Sequence, residues 1–155
     1  MSIPYRVQDF MAERDIPWDP VPHEASDCSM DAAHLAHVKP DELAKAVVLR
    51  TGHEYLLAVV PADRRVDLAA VEHELGRHVT LASESALDAV MPECARGAVP
   101  AVGQAFGIPT IWDPSLADEP DVYFEGGDHR TLVHMSGATF GELMRTAQPL
   151  RCTRH

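Results

Sequence analysis

The spacing of apolar positions changes several times along the chain, and each change predicts an element. Val7, Phe10 and Met11 recur at helical spacing with Arg14 continuing the period, Ser2 placed as a cap and Pro4 tolerated in the first turn. Pro17, Pro20 and Pro22 end that helix. The alternation from Ile16 to His23 then fits only an edge strand or an extended arm, since proline cannot donate to a second neighbour. Ser26 or Ser29 starts a helix through Met30, Ala33, His34 and His37, and Pro40 to Leu43 makes a short turn. The unbroken apolar runs Lys45 to Arg50 and Tyr55 to Val60, joined by Thr51-Gly52-His53-Glu54, predict a central hairpin.

Asp67 caps a helix from Leu68 to Leu75, Gly76 stops it, and His78 to Leu81 forms a short strand. Ser83 caps the next helix, to about Met91, and Pro92 delivers the chain into Gly97-Ala98-Val99-Pro100-Ala101-Val102-Gly103. Strands follow at Ile108 to Trp112, Val122 to Glu125 and Thr131 to Met135, the last two joined through Gly126-Gly127-Asp128. Thr139 and Glu142 form a capping box for a last helix through Leu143 and Met144, and Gln148-Pro149 begins a tail. Interleaved helices and hairpins make this a mixed α/β fold of α+β character.

Composition narrows the class. The 155 residues, 46% hydrophobic and 24% charged, suit one globular domain over 1–155. No charged-then-apolar leader and no run of 18 apolar residues occurs, so a soluble, cytoplasmic protein without membrane contact is expected. Three cysteines, Cys28, Cys94 and Cys152, lack CxxC spacing and are expected to be free thiols. A net charge of −11 argues against duplex DNA, whose affinity comes from Lys and Arg on phosphates, and leaves only local contact with a nucleic acid.

Nine histidines raise the question of a metal. His73 and His78 stand five apart, displaced by about 140° around a helix, where zincin ligands stand four apart on one face. His34 and His37 share a face but have no third ligand nearby. Neither a metal nor a cofactor is expected. There is no GxSxG elbow for a serine nucleophile. His134 and Ser136, two apart at a strand end, share one face and either line a pocket or close the strand with a helix cap. Lys45, at the head of an apolar strand, either reaches to the rim or holds an anion. The loop from Gly97 to Gly103 is either a buried crossover turn or a nest of backbone amides able to face an ester carbonyl or a phosphate.

Ala44-Lys45-Ala46-Val47-Val48, the stretch from Glu93 to Gly103, and Leu132-Val133-His134-Met135-Ser136-Gly137 occur in an order that resembles the YbaK/EbsC family. This is the aminoacyl-tRNA deacylase family that also supplies the inserted editing domain of bacterial prolyl-tRNA synthetases. The resemblance runs from the first helix through Val21-Pro22-His23 to Leu143. It implies a compact domain with a curved, largely antiparallel sheet flanked by helices. It also implies a free-standing hydrolase acting on mischarged tRNA.

By that resemblance Lys45 matches the lysine that holds the tRNA 3′ end, and Gly97, Ala98, Val99, Pro100 and Gly103 belong to the loop around the aminoacyl ester. His134 and Ser136 fall where other members line the amino-acid pocket, and His23 matches a frequent histidine near the first strand. Alanine-specific members carry asparagine after the lysine; Ala46 stands there here. The implied activity is removal of a small amino acid from its tRNA, without metal, through positioning by Lys45 and oxyanion stabilisation by loop amides. An aminoacyl-tRNA synthetase is a possible partner. Hydrolysis of another small ester, or a non-catalytic module binding an aminoacyl-adenosine-like ligand, are the alternatives.

Overall fold

The computed structural model describes residues 3–24, 36–94 and 98–154. Helix α1, Tyr5–Glu13, turns Val7, Phe10 and Met11 inward, as the spacing predicts. Ser2, its expected cap, lies outside the described residues. Pro4 occupies the cap position, where its carbonyl accepts the Val7 and Gln8 amides, and Arg14 lies past the end as C-cap. Strand β1, Asp19–Pro22, pairs antiparallel with β8, Thr131–Ser136, at the border of the main sheet, where its two prolines leave no second neighbour unpaired. Of the helix expected from Ser26 or Ser29 through His37, the residues up to Leu35 lie outside the described residues, and His37 is not helical but stands in a turn at φ 57°.

A 3-10 turn at Pro40–Glu42 leads into β2, Leu43–Thr51, which forms a hairpin with β3, Glu54–Pro61. Gly52 takes the left-handed turn position at φ 67°. After β4, Arg65–Val66, helix α2 spans Leu68–Leu75 with both expected stops: Asp67 Oδ1 accepts the Ala70 amide at 3.2 Å, and Gly76 is left-handed at φ 66°. Strand β5 is shorter than expected, only Thr80–Leu81, because the Val79 amide donates to the Glu72 carboxylate instead. Ser83 caps α3, Glu84–Val90.

Beyond the 98–102 loop come a 3-10 turn at Gly103–Phe106, β6 at Thr110–Trp112, another 3-10 turn at Pro114–Asp118, and β7 at Asp121–Glu125. Helix α4, Gly137–Leu143, follows β8 directly, and its cap corrects the sequence reading. Ser136, not Thr139, is the N-cap, with its Oγ accepting the Thr139 amide at 3.1 Å. The helix starts early because Gly137 fits under the Glu119 carbonyl, where any Cβ would overlap it. The expected tail is also ordered: β9, Gln148–Pro149, adds to β6, and β10, Thr153–Arg154, pairs with β4.

The main sheet runs β1-β8-β7-β2-β3-β6-β9, with β5 also on β2. It is mixed and largely antiparallel, so the α/β class with α+β character holds. Alternation divides its side chains between two layers. On one face Ala44, Val48, Leu57, Val59, Val122, Phe124 and Val133 meet α1, α4 and the 98–102 loop. On the other, Leu49, Leu56 and Val60 meet Val71 of α2, and Leu43 packs with Leu132 and Ala62.

One feature of the sheet sets up the site. Along the β2 edge opposite β3, β7 pairs only at Leu43 and Ala44, while β5 pairs only at Leu49 and Arg50. The Val48 carbonyl takes the Ala82 amide. Among the described residues, Lys45, Ala46 and Val47 have no strand partner on that edge, so the sheet splits there.

Candidate functional site

Two hollows open at this split. Ala46, Val48, Leu87 and Val99, with Val47, Leu81 and Ala82, border about 280 Å³, and every side chain among them is aliphatic. On the other side Lys45, Arg65 and Arg154 line a larger hollow of about 480 Å³. Val47 and Leu81 belong to both linings, so the two hollows adjoin.

Lys45 and the 98–103 loop approach the split from opposite faces of the sheet. Lys45 is odd-numbered on β2 and shares the face of Leu43 and Leu49, while Ala98 to Val102 lie buried on the face of Ala44 and Val48. The Lys45 Nζ donates to the Ala62 carbonyl at 3.4 Å. Burial lowers its pKa and the Arg65 charge lowers it further, against the opposing pull of Asp63.

The loop is a buried turn whose side chains join the main core: Ala98, Ala101 and Val102 are closed from solvent and Val99 nearly so, with Pro100 also buried. Gly103 serves close approach, since a Cβ there would collide with Thr110 Oγ1 and crowd the Ile108 carbonyl. Gly97 lies outside the described residues. Among the described residues, no backbone carbonyl accepts the amides of Val99, Ala101, Val102 and Gly103, and residues 95–97 just before them lie outside the described residues. Successive amides at a glycine-bounded turn are the raw material of an anion or oxyanion seat.

His134 and Ser136 share one face of β8, but each is already engaged. The His134 ring spans two carboxylates, with Nε2 2.8 Å from Asp121 and Nδ1 3.3 Å from Asp19, and stacks on Tyr123 at 4.6 Å. That ties β1, β8 and β7 together. Ser136 Oγ donates to Thr139 Oγ1 at 2.8 Å while capping α4. Neither residue lines the two hollows at the split.

The His23 side chain is closed from solvent. Its Nδ1 lies 2.6 Å from the Glu24 carbonyl, and its Nε2 lies 3.9 Å from Oε2 of Glu125, the last residue of β7. Glu125 went unnoticed in the sequence, where it reads as the solvent end of a strand before a glycine turn. Burial, followed by the charge of Asp128, pushes its pKa up to about 8. The register that pairs Leu43 with Tyr123 and Ala44 with Phe124 brings Glu125 level with Lys45, where pairing stops. The turn beyond it holds Gly127 at φ 114° and His129 at φ 59°, a left-handed residue that no spacing rule could single out. Asp128 fixes that turn by accepting the Arg130 and Thr131 amides, each at 2.9 Å.

Among the described residues no group of three or more His, Cys, Asp or Glu side chains is arranged to hold a metal. His78 pairs with Glu72 at 2.9 Å. Cys94 and Cys152 are free thiols, and burial first of all raises both to about 12, so both are held as neutral thiols near neutral pH. Cys28 lies outside the described residues. No helix among them is long and apolar enough to cross a membrane.

Comparison with known proteins gives the family its support. The family model described as the aminoacyl-tRNA editing domain matches residues 23–143. No curated protein matches the chain. Among solved structures, a hypothetical protein superposes with a TM-score of 0.85 at 21% identity, covering 96% of this chain and 99% of its own. A protein described as a candidate trans-editing enzyme for prolyl tRNA synthetase gives 0.83 at 23% identity, with 97% and 96% covered. A candidate signal transduction protein from Marinobacter aquaeolei VT8 gives 0.78 at 19% identity over 98% of this chain and 31% of its own. At such identities these likenesses establish the fold.

Proposed function

The chain belongs to the aminoacyl-tRNA editing domain family, and from that premise we propose that it is a cytoplasmic trans-editing hydrolase that removes a small amino acid from mischarged tRNA. The observation that carries this reading is the split in the sheet at β2. There a small aliphatic hollow beside Ala46 and Val99 adjoins the hollow of Lys45.

The aminoacyl side chain occupies the aliphatic hollow, whose Ala, Val and Leu side chains suit a small residue. Lys45 holds the 3′-terminal nucleotide. Amides of the 98–103 loop receive the carbonyl oxygen as it gains charge. Water, positioned by the neighbouring ribose hydroxyl, attacks the carbonyl carbon. The ester C–O bond breaks, and the ribose oxygen leaves with the proton the nucleophile gives up. No side chain in the aliphatic hollow can serve as a base, so the rate comes from positioning and from the substrate's own hydroxyl.

A panel of tRNAs carrying Ala, Ser, Thr or Cys esters, assayed for deacylation at low salt against Lys45→Ala, tests this. Lysine-dependent release of one or two of the amino acids is the expected result. No release from any ester above the control overturns the hydrolase and leaves a module that binds the aminoacyl end without turnover.

A further inference from the structure

On the ribbon formed by β4 and β10, Arg154 stands directly opposite Arg65. Residues opposite each other in an antiparallel pair present their side chains on one face only about 5 Å apart at Cβ, and like charges so placed destabilise the pair. Both side chains line the hollow that also holds Lys45, whose ammonium is close enough to Arg65 for the two charges to act on each other. Among the described residues neither arginine forms an ion pair. Asp67, the acid in the same lining, spends its Oδ1 on the Ala70 amide. A chain of net charge −11 thus gathers three cations around one hollow.

We propose that Arg65 and Arg154 seat the backbone phosphates of the single-stranded 3′ end of an RNA, one or two nucleotides upstream of the residue held by Lys45. The inference rests on the editing reading, because the hollow adjoins the aliphatic one through Val47 and Leu81. A phosphodiester strand leaving the ester must cross this hollow or turn away from the three cations that line it. Anions bridging the two guanidinium groups relieve their repulsion, and guanidinium forks match phosphate oxygens in pairs. Val47, Leu68 and Leu81, the last strongly exposed at 62%, offer apolar surface to a ribose or base edge. An acidic peptide would satisfy the charges, but it would not need the hollow to open onto an ester-sized pocket.

The test uses binding of a fluorescein-labelled, uncharged RNA minihelix with a single-stranded 3′ tail, measured by anisotropy across a salt series. Each single-strand phosphate contact contributes about −0.7 to the slope of log K against log salt, so Arg65→Gln with Arg154→Gln is expected to reduce the slope by about 1.4. Arg65→Lys with Arg154→Lys, which keeps both charges, should retain it. In parallel, the kcat/KM ratio of aminoacyl-minihelix over free aminoacyl-adenosine should fall about tenfold in the double glutamine variant, through KM. An unchanged slope overturns the phosphate seat even if deacylation continues, and the editing reading then survives alone. A reduced slope with no deacylation of any ester keeps the seat and removes the hydrolase. Competition by polyglutamate as effective as by the minihelix also overturns the proposal, in favour of an acidic protein partner.

Discussion

His23 and Glu125 face each other at 3.9 Å with side chains 0% and 2% exposed, joining the residue after β1 to the last residue of β7. Neither the His23 Nε2 nor either Glu125 oxygen has a hydrogen-bond partner among the described residues. A carboxylate in that position is strongly disfavoured as an ion, which is why Glu125 holds its proton up to about pH 8 from an ordinary value of 4.5.

Stability should therefore fall as pH rises. The folded chain keeps the Glu125 proton where the unfolded chain has released it. The contribution is whole below pH 4.5 and lost as pH climbs through about 8. The slope is at most about 1.4 kcal/mol per pH unit. Urea midpoints at pH 5, 6.5 and 8 should decline for the natural chain and stay level for Glu125→Gln, which carries no charge to bury. Parallel declines in both would assign the effect to another group.

Gly103→Ala should destabilise by about 1–3 kcal/mol, since the added methyl must displace the Thr110 side chain and crowd the Ile108 carbonyl and Leu57. The Thr110 hydroxyl itself donates to that carbonyl at 3.0 Å, so the contact is stiff. In a Thr110→Ala background the same change should cost less, and the coupling measured in a double-mutant cycle reports the clash directly. Equal losses in both backgrounds would mean that the loop adjusts freely.

The contrast between Gly52 and Gly103 shows what the sequence could reveal. Gly52 sits in a hairpin whose two apolar runs are contiguous, so local spacing alone locates the turn and its left-handed residue. The same holds for α2, whose cap and stop, Asp67 and Gly76, bracket it within a few residues. The prolines of β1 likewise announce an edge. Gly103 looks like a turn glycine in sequence, yet its reason is Thr110, a partner visible only once β6 is in place.

The site follows the same rule. Lys45 and the 98–103 loop stand out by residue type, but the split between them depends on Leu43 pairing with Tyr123 and Leu49 with Leu81, registers set by distant segments. Arg154 in a two-residue strand and Glu125 before a glycine turn carry no local signal of the partners they meet. Thr139 and Glu142 matched a capping box by spacing, and the fit of Gly137 under the Glu119 carbonyl decided the cap otherwise.

Substitution at Ala46 should tune which ester is accepted. Ala46 and Val99 line the same hollow of about 280 Å³ from β2 and from the loop. Ala46→Leu removes room for several heavy atoms. It is expected to lower kcat/KM for the threonyl ester at least about tenfold more than for the alanyl ester, within the range one or two methylenes decide in an apolar pocket. Equal losses for both esters would indicate that the aminoacyl group binds elsewhere.

Ser136 separates a structural from a substrate-facing role. Its hydroxyl caps α4 through the Thr139 amide at 3.1 Å and donates to the Thr139 hydroxyl at 2.8 Å. Loss of an N-cap of this type costs about 1 kcal/mol, so Ser136→Ala should lower the melting temperature by several degrees for a domain of this size. Ser136→Asp, which caps equally well but carries a charge, should restore it. If capping is the whole role, KM for aminoacyl-tRNA follows stability and is normal in the aspartate variant below its melting range. If the hydroxyl also meets the aminoacyl group, the aspartate variant regains its fold while KM stays raised, because a new carboxylate then faces the substrate.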